Sequence, residues 1–510
     1  MFFFARSWGV NWWAEPERAA ASLGLFAGHA ADSCRIGGDF FAELPSPRAP
    51  ARRGWRVARS PAGWPVILHG LIDNLAELSA MLGVTGLPEQ IYGAAVERWG
   101  DGADRHVVGE YASLVILSDG TVRLARSPWS GNPVFFHQAD DGLLISSIPR
   151  PLFAAGLPRE LRPGVLHSLA AMEALPDHPI PYRGLEEVQG GTVTLLSRHG
   201  AKVVPFYDPA AIAPVRFRDE RDYVEAARAM LGEAVQAMLR HARKPAVTLS
   251  GGFDSALICD EMWRQLGPRA NLHAYTFVPI AEWDGRSAPH MFGSDRPYVE
   301  AYLQTHPGLV HRFIDNRDID PFTRFEERLL ASEGYAAGAA ISFPHLGVIE
   351  AARAAGCDFL FTGWLGNMTL SSEAPWAMAE FFRTLRWGQG WQLARARQHD
   401  SRPVWRRFLA GGLMPNLPPA LAQWIRDHVR RGPQRMLLAN PYIAADGPLG
   451  AKRADGRLNS AELDYHHSRE RFTASLYRSC QTGGGLALGV EQVTGLPGRD
   501  VYSYRPLIEL

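Results

Sequence analysis

Ala246-Val247-Thr248-Leu249-Ser250-Gly251-Gly252-Phe253-Asp254-Ser255 decides how this chain is read. The short apolar run with β-branched residues predicts a buried strand. Ser250-Gly251-Gly252 predicts a tight turn, and residues 255–263 predict a helix. Two glycines can take backbone angles closed to other residues and leave no Cβ in the way, so several N–H groups can converge on one anion. The helix start adds its unpaired N–H groups and a partial positive charge, which suits a phosphate. Ser250 and Ser255 offer hydroxyls, and Asp254 can hold a cation that neutralises phosphate charge. A Ser-Gly-Gly turn alone is common, whereas the full Ser-Gly-Gly-Phe-Asp-Ser string behind an apolar strand is far more specific. No Gly-Lys-Ser/Thr follows, so this is not a Walker-type loop.

Around this stretch the pattern alternates. A helix is expected from Asp219 to about His241, then the strand above, then a strand over 272–278, a helix over 296–305 and a strand over 310–314. A helix over 346–355 and a strand over 359–362 follow. Such alternation means a parallel sheet with helices on both faces. Asp358-Phe359-Leu360-Phe361-Thr362-Gly363-Trp364-Leu365-Gly366-Asn367 repeats the logic of the first site, an apolar strand ending in a Gly-containing turn. Ligands of doubly wound sheets bind at the carboxyl ends of the strands, so the two turns can flank one nucleotide. Beyond Glu373 the chain reads as mostly helical to about Ser479, rich in Trp and Arg.

Residues 1–205 read as β-rich. Apolar stretches at 66–68, 112–117, 122–125, 134–136, 143–145 and 193–196 recur between turn signals such as Asp119-Gly120 and Asp141-Gly142. Two helical patterns interrupt them, near 71–82 and 89–99, and the Pro/Arg-rich stretch 45–56 reads as a surface loop. Residues 206–218 read as a linker.

Composition narrows the function class. With 510 residues the chain can bury two or three cores. Lys+Arg and Asp+Glu balance at 53 each, so no global field favours nucleic acid or an anionic membrane. Cysteines at 34, 259, 357 and 480 make no metal or disulfide spacing, and Cys259 and Cys357 read as buried thiols in apolar helical patterns. A cytoplasmic location is expected. Met1-Phe2-Phe3-Phe4-Ala5-Arg6 lacks a basic region followed by a long apolar run, so no signal peptide is expected, and no run approaches transmembrane length.

The Ser250 to Ser255 string resembles the pyrophosphate-binding loop of the ATP pyrophosphatase superfamily, whose enzymes leave AMP on a substrate. Over most of its length the chain resembles the asparagine synthetase class B family. The landmarks, in order, are Gly70-Leu71-Ile72-Asp73-Asn74, Gly109-Glu110-Tyr111-Ala112, Leu124-Ala125-Arg126-Ser127-Pro128, Pro133-Val134-Phe135-Phe136 and the linker-like Tyr207-Asp208-Pro209. The resemblance implies an N-terminal Ntn-hydrolase-like αββα sandwich, a glutamine amidotransferase-like domain over residues 1–205. It implies a linker over 206–218. Over 219–510 it implies a doubly wound parallel-sheet domain of the adenine nucleotide alpha hydrolase-like type, with a helical extension. The implied ATP contacts are Leu249, Ser250, Gly251, Gly252, Asp254, Ser255, Phe277, Thr362 and Gly363, with Mg²⁺ held by Asp254 and Asn367.

The departures are as informative. The family glutaminase needs a cysteine directly after the initiator Met, where this chain has Phe2, and its oxyanion Asn is His69 here. The N-terminal domain is therefore expected to be inactive. Trp364 stands where the family has Glu, or Tyr in the β-lactam-forming branch, and cannot act as acid or base. Asn367 stands where the family has a magnesium-binding Asp, and an Asn carbonyl oxygen binds the ion without charge. Gly363-Trp364-Leu365-Gly366-Asn367 resembles a branch found with lasso peptide biosynthesis. Arg505-Pro506-Leu507-Ile508-Glu509 resembles a segment after which family members continue for several helices, and the family's late lysine has no counterpart here.

The expectation is an ATP-dependent, AMP-forming carbon–nitrogen ligase, a lasso peptide cyclase. It would adenylate an Asp or Glu side chain of a leader-cleaved precursor peptide and close a macrolactam with the peptide's N-terminal amine. Asp254, Trp364 and Asn367 would sit at the reacting centre. Trp364, Trp376, Trp387, Trp391 and Trp405 are candidates for a peptide groove, and equally for plain core and surface helix. The expected partners are the peptide, a leader peptidase and a leader-recognition protein, with no nucleic acid and no membrane. Two other readings stand beside this one: a glutamine-independent asparagine synthetase-like or β-lactam synthetase-like ligase on a small substrate, and a non-catalytic peptide-binding scaffold.

Overall fold

The strand that begins at Phe2 shows how the first half is layered. In this computed structural model, which describes residues 1–9, 15–44, 56–129, 131–163, 165, 180–267, 271–287, 292–320, 322–331, 333, 343–397, 400–429, 467–482 and 484–510, strand β1 is Phe2–Ser7. Successive side chains on a strand point to opposite faces. Phe2 and Phe4 accordingly enter one core with Phe41, Ile67, Leu114 and Leu124. Phe3 and Ala5 enter another with Ala19, Leu23 and Leu152, from the helices Pro16–Leu23 and Arg150–Ala154.

The remaining strands of this half are β2 (Asp32–Ile36), β3 (Asp39–Glu43), β4 (Ala58–Arg59), β5 (Pro65–Ile72), β6 (Gly109–Ile116), β7 (Val122–Arg126), β8 (Phe135–Ala139), β9 (Gly142–Ser146), β10 (Glu186–Glu187), β11 (Thr192–Ser197) and β12 (Gly200–Pro205). They form two antiparallel six-stranded sheets, ordered β10-β8-β9-β1-β3-β2 and β12-β11-β7-β6-β5-β4. The helices Leu75–Leu82 and Pro88–Trp99 cover the outer face of the second sheet through Leu78, Ile91, Tyr92 and Val96. The result is helix, sheet, sheet, helix. The helix expected from position 71 begins at Leu75, because Leu71 and Ile72 still pair with Glu110 and Gly109 of β6. β1 to β3 were not among the expected strands: β1 is apolar on both faces and carries no alternation.

The second half is built on a parallel sheet ordered β15-β14-β13-β16-β17, with β13 (Pro245–Thr248), β14 (His273–Phe277), β15 (Val310–Ile314), β16 (Phe359–Thr362) and β17 (Gly498–Asp500). Val247, Leu249, Ala274 and Phe361 pack on one face against the helices Glu220–Leu239 and Phe253–Leu266. Ala246, Tyr275 and Leu360 pack on the other against Phe343–Ala354. From β13 the chain steps outward to β14 and β15, then returns to lay β16 and β17 on the far side. The order therefore reverses between β13 and β16, the place where open sheets leave a crevice. β17 was not anticipated; three residues carry no pattern.

In the expected linker, Phe206 is buried and the Asp208 carboxylate accepts the Ala210 N–H at 2.8 Å, capping a short turn. The helical extension includes Ala377–Arg383, Trp387–Ala396, Val404–Phe408, Pro419–Val429, Arg469–Thr482 and Gly484–Thr494. Arg469–Thr482 packs back on the first half, with the Gly190 N–H donating to Gln481 Oε1 at 3.0 Å and Trp129 edge-on to Tyr477. Residues 45–55 of the expected surface loop, and 430–466 of the expected helical stretch, lie outside the described residues. Cys259 is buried in a helix as expected, but Cys357 lies in the turn before β16 rather than in a helix. Among the described residues no helix is long and apolar enough to cross a membrane.

Candidate functional site

The crevice is made by the two turns that leave β13 and β16. At the first, the Ser250 N–H donates to Ser255 Oγ at 2.9 Å, the two serine hydroxyls are 2.9 Å apart, and the Gly252 N–H reaches Ser250 Oγ at 3.2 Å. The serines, expected to face a phosphate, thus fold the loop onto itself and hold the helix start against the strand end. Gly252 caps the helix, and its first residues Phe253 and Asp254 have N–H groups with no intrahelical acceptor. Phe253 is 86 % exposed at the lip of the loop.

At the second turn, glycine is required by close approach. A Cβ on Gly363 would lie 2.9 Å from Ile258 Cδ1 and 3.2 Å from Tyr502 Cε2. A Cβ on Gly366 would lie 2.2 Å from Asp254 Cγ and 2.5 Å from its Oδ1. The absent side chain of Gly366 is the space the Asp254 carboxylate occupies, and Asn367 is the next residue. Asp254 Oδ1 is buried and has no hydrogen-bond partner among the described residues. Leaving a carboxylate oxygen in that state costs about 1–3 kcal/mol or more. A cation beside it removes that cost.

The test of fit for Mg²⁺ rests on this orphaned oxygen. Among the described residues no group of three or more His, Cys, Asp or Glu side chains could cage a metal. An all-protein cage is not what Mg²⁺ uses with nucleotides: it takes one or two protein oxygens, substrate phosphates and water. Asp254, with Asn367 following the glycine that packs against it, fits that donor set. Asn367 Oδ1 itself accepts from Ser371 Oγ at 3.4 Å, which leaves its second lone pair free.

The other expected contacts are placed as follows. Leu249 is buried in the core, its N–H donates to the Tyr275 carbonyl at 2.8 Å and its own carbonyl accepts from Thr276 Oγ1 at 2.6 Å. Phe277 closes β14, next to β13 and half-buried. Gly251 sits against Asp295 and Tyr298, at the start of the next helix. Trp364 is 61 % exposed, with its indole 4.8 Å from the ring of His345. Burial lowers the pKa of His345. Trp387, Trp391 and Trp405 are exposed on the helical extension.

Three residues were missed. Asp500, at the end of β17, accepts Thr362 Oγ1 at 3.3 Å and the Leu365 N–H at 3.1 Å on one oxygen, and the Tyr502 N–H at 2.9 Å on the other. Burial pushes its carboxyl up to about 7, against the pull of the N–H groups of Leu365, Tyr502 and Trp364. Tyr502 donates its hydroxyl to the Asp254 carbonyl at 3.1 Å. Arg499 is fully buried and bidentate with Asp73, both contacts 2.9 Å. Burial pushes the Asp73 carboxyl up, but Arg499 and His241 overcome it and hold the group down at about 2. An Asp that ends a three-residue strand carries no sequence signal of this kind.

At the other candidate centre, Phe2 is buried between the sheets, its N–H donating to Ser147 Oγ at 3.0 Å and its carbonyl accepting from Ser146 Oγ at 3.0 Å. The Met1 amine donates to the Leu44 carbonyl at 3.0 Å.

Comparison with known proteins bears on the second half. The family model for asparagine synthase matches residues 226–479, which hold both turns. No curated protein matches the chain. Among solved structures, the chain is similar to glutamine phosphoribosylpyrophosphate amidotransferase from B. subtilis complexed with ADP and GMP, at 12 % identity and a TM-score of 0.30, over 71 % of this chain and 81 % of that one. It is also similar to an allosteric regulatory enzyme of purine biosynthesis, at 11 % identity and a TM-score of 0.29, over 61 % and 80 %. Residues 226–479, which carry both turns, are asparagine synthase-like.

Proposed function

We propose that this chain is an ATP-dependent amide ligase that closes a macrolactam in a peptide, a lasso peptide cyclase. The observation that carries the reading is the buried, unpartnered Asp254 Oδ1 held between two turns at the reversal point of a parallel sheet. A match to asparagine synthase over the same residues supports ATP-dependent amide formation. Phe2, packed between the sheets, supports the narrower reading, because no thiol stands at that position to release ammonia from glutamine. The amine must then come with the substrate. An exposed aromatic lip, Phe253 and Trp364, suits a peptide better than a small molecule.

ATP is taken as co-substrate. The free N–H groups at the start of the helix Phe253–Leu266 receive the pyrophosphate portion. Asp254 and Asn367 are the residues that would hold Mg²⁺, which when bound neutralises phosphate charge. An Asp or Glu side chain of the peptide attacks the α-phosphorus, the bond to pyrophosphate breaks, and an acyl-adenylate forms. The peptide's N-terminal amine attacks the acyl carbon and AMP departs. One proton leaves the amine, to water or to a neighbouring base such as the His345 imidazole, whose ring lies 4.8 Å from that of Trp364. Holding the N-terminal amine against the activated side chain makes closure an oriented intramolecular step.

The test is mass spectrometry of a leader-free candidate peptide incubated with the chain, a leader peptidase and Mg-ATP. Loss of one water, formation of AMP and resistance of the product to carboxypeptidase are expected. AMP without water loss would replace this reading with a ligase acting on another amine. Peptide bound with no AMP formed would make the chain a scaffold.

A further inference from the structure

Strand β17 is three residues long, yet it touches both halves of the molecule. Its side chains alternate, as strand geometry requires. Arg499 turns to the N-terminal half, where it is bidentate with Asp73 and lies 3.7 Å from Glu110 Oε1. Asp500 turns the other way and pairs in register with Thr362, the last residue of β16. Its two oxygens hold the Leu365 N–H of the second turn and the Tyr502 N–H. Tyr502 in turn donates to the Asp254 carbonyl and lies against Gly363. Ser503 closes the circuit: its hydroxyl is 2.7 Å from Glu110 Oε1 and 2.6 Å from the Asp500 carbonyl.

We propose that Asp500 is a positioning residue for the 362–367 turn, and that the N-terminal half sets the place of that turn through Asp73, Glu110 and Arg499. Asp73 and Glu110 belong to the landmark stretches of the amidotransferase-like half, and here they grip the strand beside the nucleotide crevice. The N-terminal half is then a brace for ATP binding rather than an idle remnant. Alternation is what makes the device work: a shift of Arg499 moves Asp500, because one residue separates two opposed grips. Buried charge pairs resist such shifts, since breaking one side leaves an uncompensated charge.

This inference rests on ATP binding in the crevice, so the experiment reads nucleotide affinity directly on the full chain, by calorimetry with Mg-ATP, and turnover separately. Asp500→Asn keeps the shape but gives one side an NH₂ that faces an N–H donor, so one grip is lost. The affinity for Mg-ATP is expected to fall about tenfold with the peptide affinity unchanged. Asp73→Asn should weaken ATP in the same direction and more mildly, and the double variant should be less than additive, since both act through one strand. Should Asp73→Asn fail to fold, Arg499→Lys keeps the charge while losing the two-pronged fit and serves the same test. A folded Asp500→Asn chain with wild-type ATP affinity would overturn the proposal while leaving the functional reading intact. Additive effects of Asp73 and Asp500 would overturn the role of the N-terminal half. A wild-type chain that binds Mg-ATP but makes no AMP would sink the functional reading alone, and one that binds no Mg-ATP would sink both.

Discussion

The surroundings of Phe2 and the surroundings of Asp254 are built alike and end in opposite states. Each has short serine side chains nearby, Phe2 at the start of β1 and Asp254 in the helix start that follows β13. Around Phe2 the main chain is satisfied on both sides by Ser146 and Ser147, and the ring is buried in the core. Around Asp254 the serines satisfy each other, a carboxylate oxygen has no partner among the described residues, and an aromatic ring stands in solvent next to it. A closed site has converted its polar groups into packing. An open one still carries the cost of unpaired groups, which a ligand repays. The comparison gives a criterion for which half does chemistry, and it can be broken by experiment.

The largest effect is expected at the open end. Asp254→Ala should abolish pyrophosphate release in the presence of peptide, a loss on the order of 100-fold or more, without loss of helix content by circular dichroism. Retained turnover would mean that the orphaned oxygen is not what the crevice is built around. Gly366→Ala probes the same point from the other turn. Its Cβ would overlap the Asp254 carboxylate, so the side chain must move, and a displacement of about 1 Å can cost ~100-fold in rate.

At the closed end the prediction inverts. Phe2→Ala should cost about 3–5 kcal/mol of stability, as removal of a buried Phe does, read as a lower denaturant midpoint. The folded fraction should keep its ATP affinity. Phe2→Cys should produce no glutamate from glutamine, since His69 stands where the resembled family has its oxyanion Asn. Glutamate release by that single variant would show the site to be less closed than its packing indicates.

The acid–base behaviour of the brace separates its two ends. Asp73, held down at about 2 although burial opposes it, contributes stability that is present above pH 4 and is lost as pH falls from 4 towards 2. Asp500 runs the other way. With its carboxyl pushed up to about 7 by burial, the folded state favours the protonated form, so its contribution is present below pH 4 and is lost as pH rises from 4 to 7. The difference is at most roughly 4 kcal/mol at about 1.4 kcal/mol per pKa unit. Asp500→Asn should flatten that part of the stability–pH curve, measured by urea unfolding between pH 4 and 8. A curve that keeps its wild-type slope would mean Asp500 is not desolvated by its surroundings.

What the sequence disclosed and what it hid follow from contact range. The 250–255 loop, the 362–367 turn and the alternation that makes the parallel sheet are local patterns, and β15 and β16 stand where the residues place them. That the two turns lie at one crevice followed from the rule for sheet reversal, whereas the close approach of Gly366 to Asp254 was not foreseen. The Arg499–Asp73 pair joins residues 426 apart, and no local pattern reports it. β1 was hidden for another reason, since burial on both faces removes the alternation that marks a strand. The hydrogen bond between the two serines was not legible, because a hydroxyl that suits a phosphate equally suits its neighbour across a tight loop.

Trp364 offers the smallest effect and the sharpest division between binding ATP and binding peptide. Its ring is mostly exposed and lies beside the ring of His345. An exposed indole that contributes only to the surface could be removed with no consequence beyond a few tenths of a kcal/mol. An indole that lines the peptide path loses contact area with the substrate alone. Trp364→Ala should therefore leave ATP affinity unchanged and raise the KM for the peptide by about threefold to tenfold, the equivalent of roughly 0.7–1.4 kcal/mol for an aromatic contact. Trp364→Phe should recover most of it, because the flat apolar face remains. A rise in the ATP constant instead would place the indole with the nucleotide. Equal peptide KM in all three chains would move the peptide path elsewhere, towards the exposed Trp387, Trp391 and Trp405 of the helical extension.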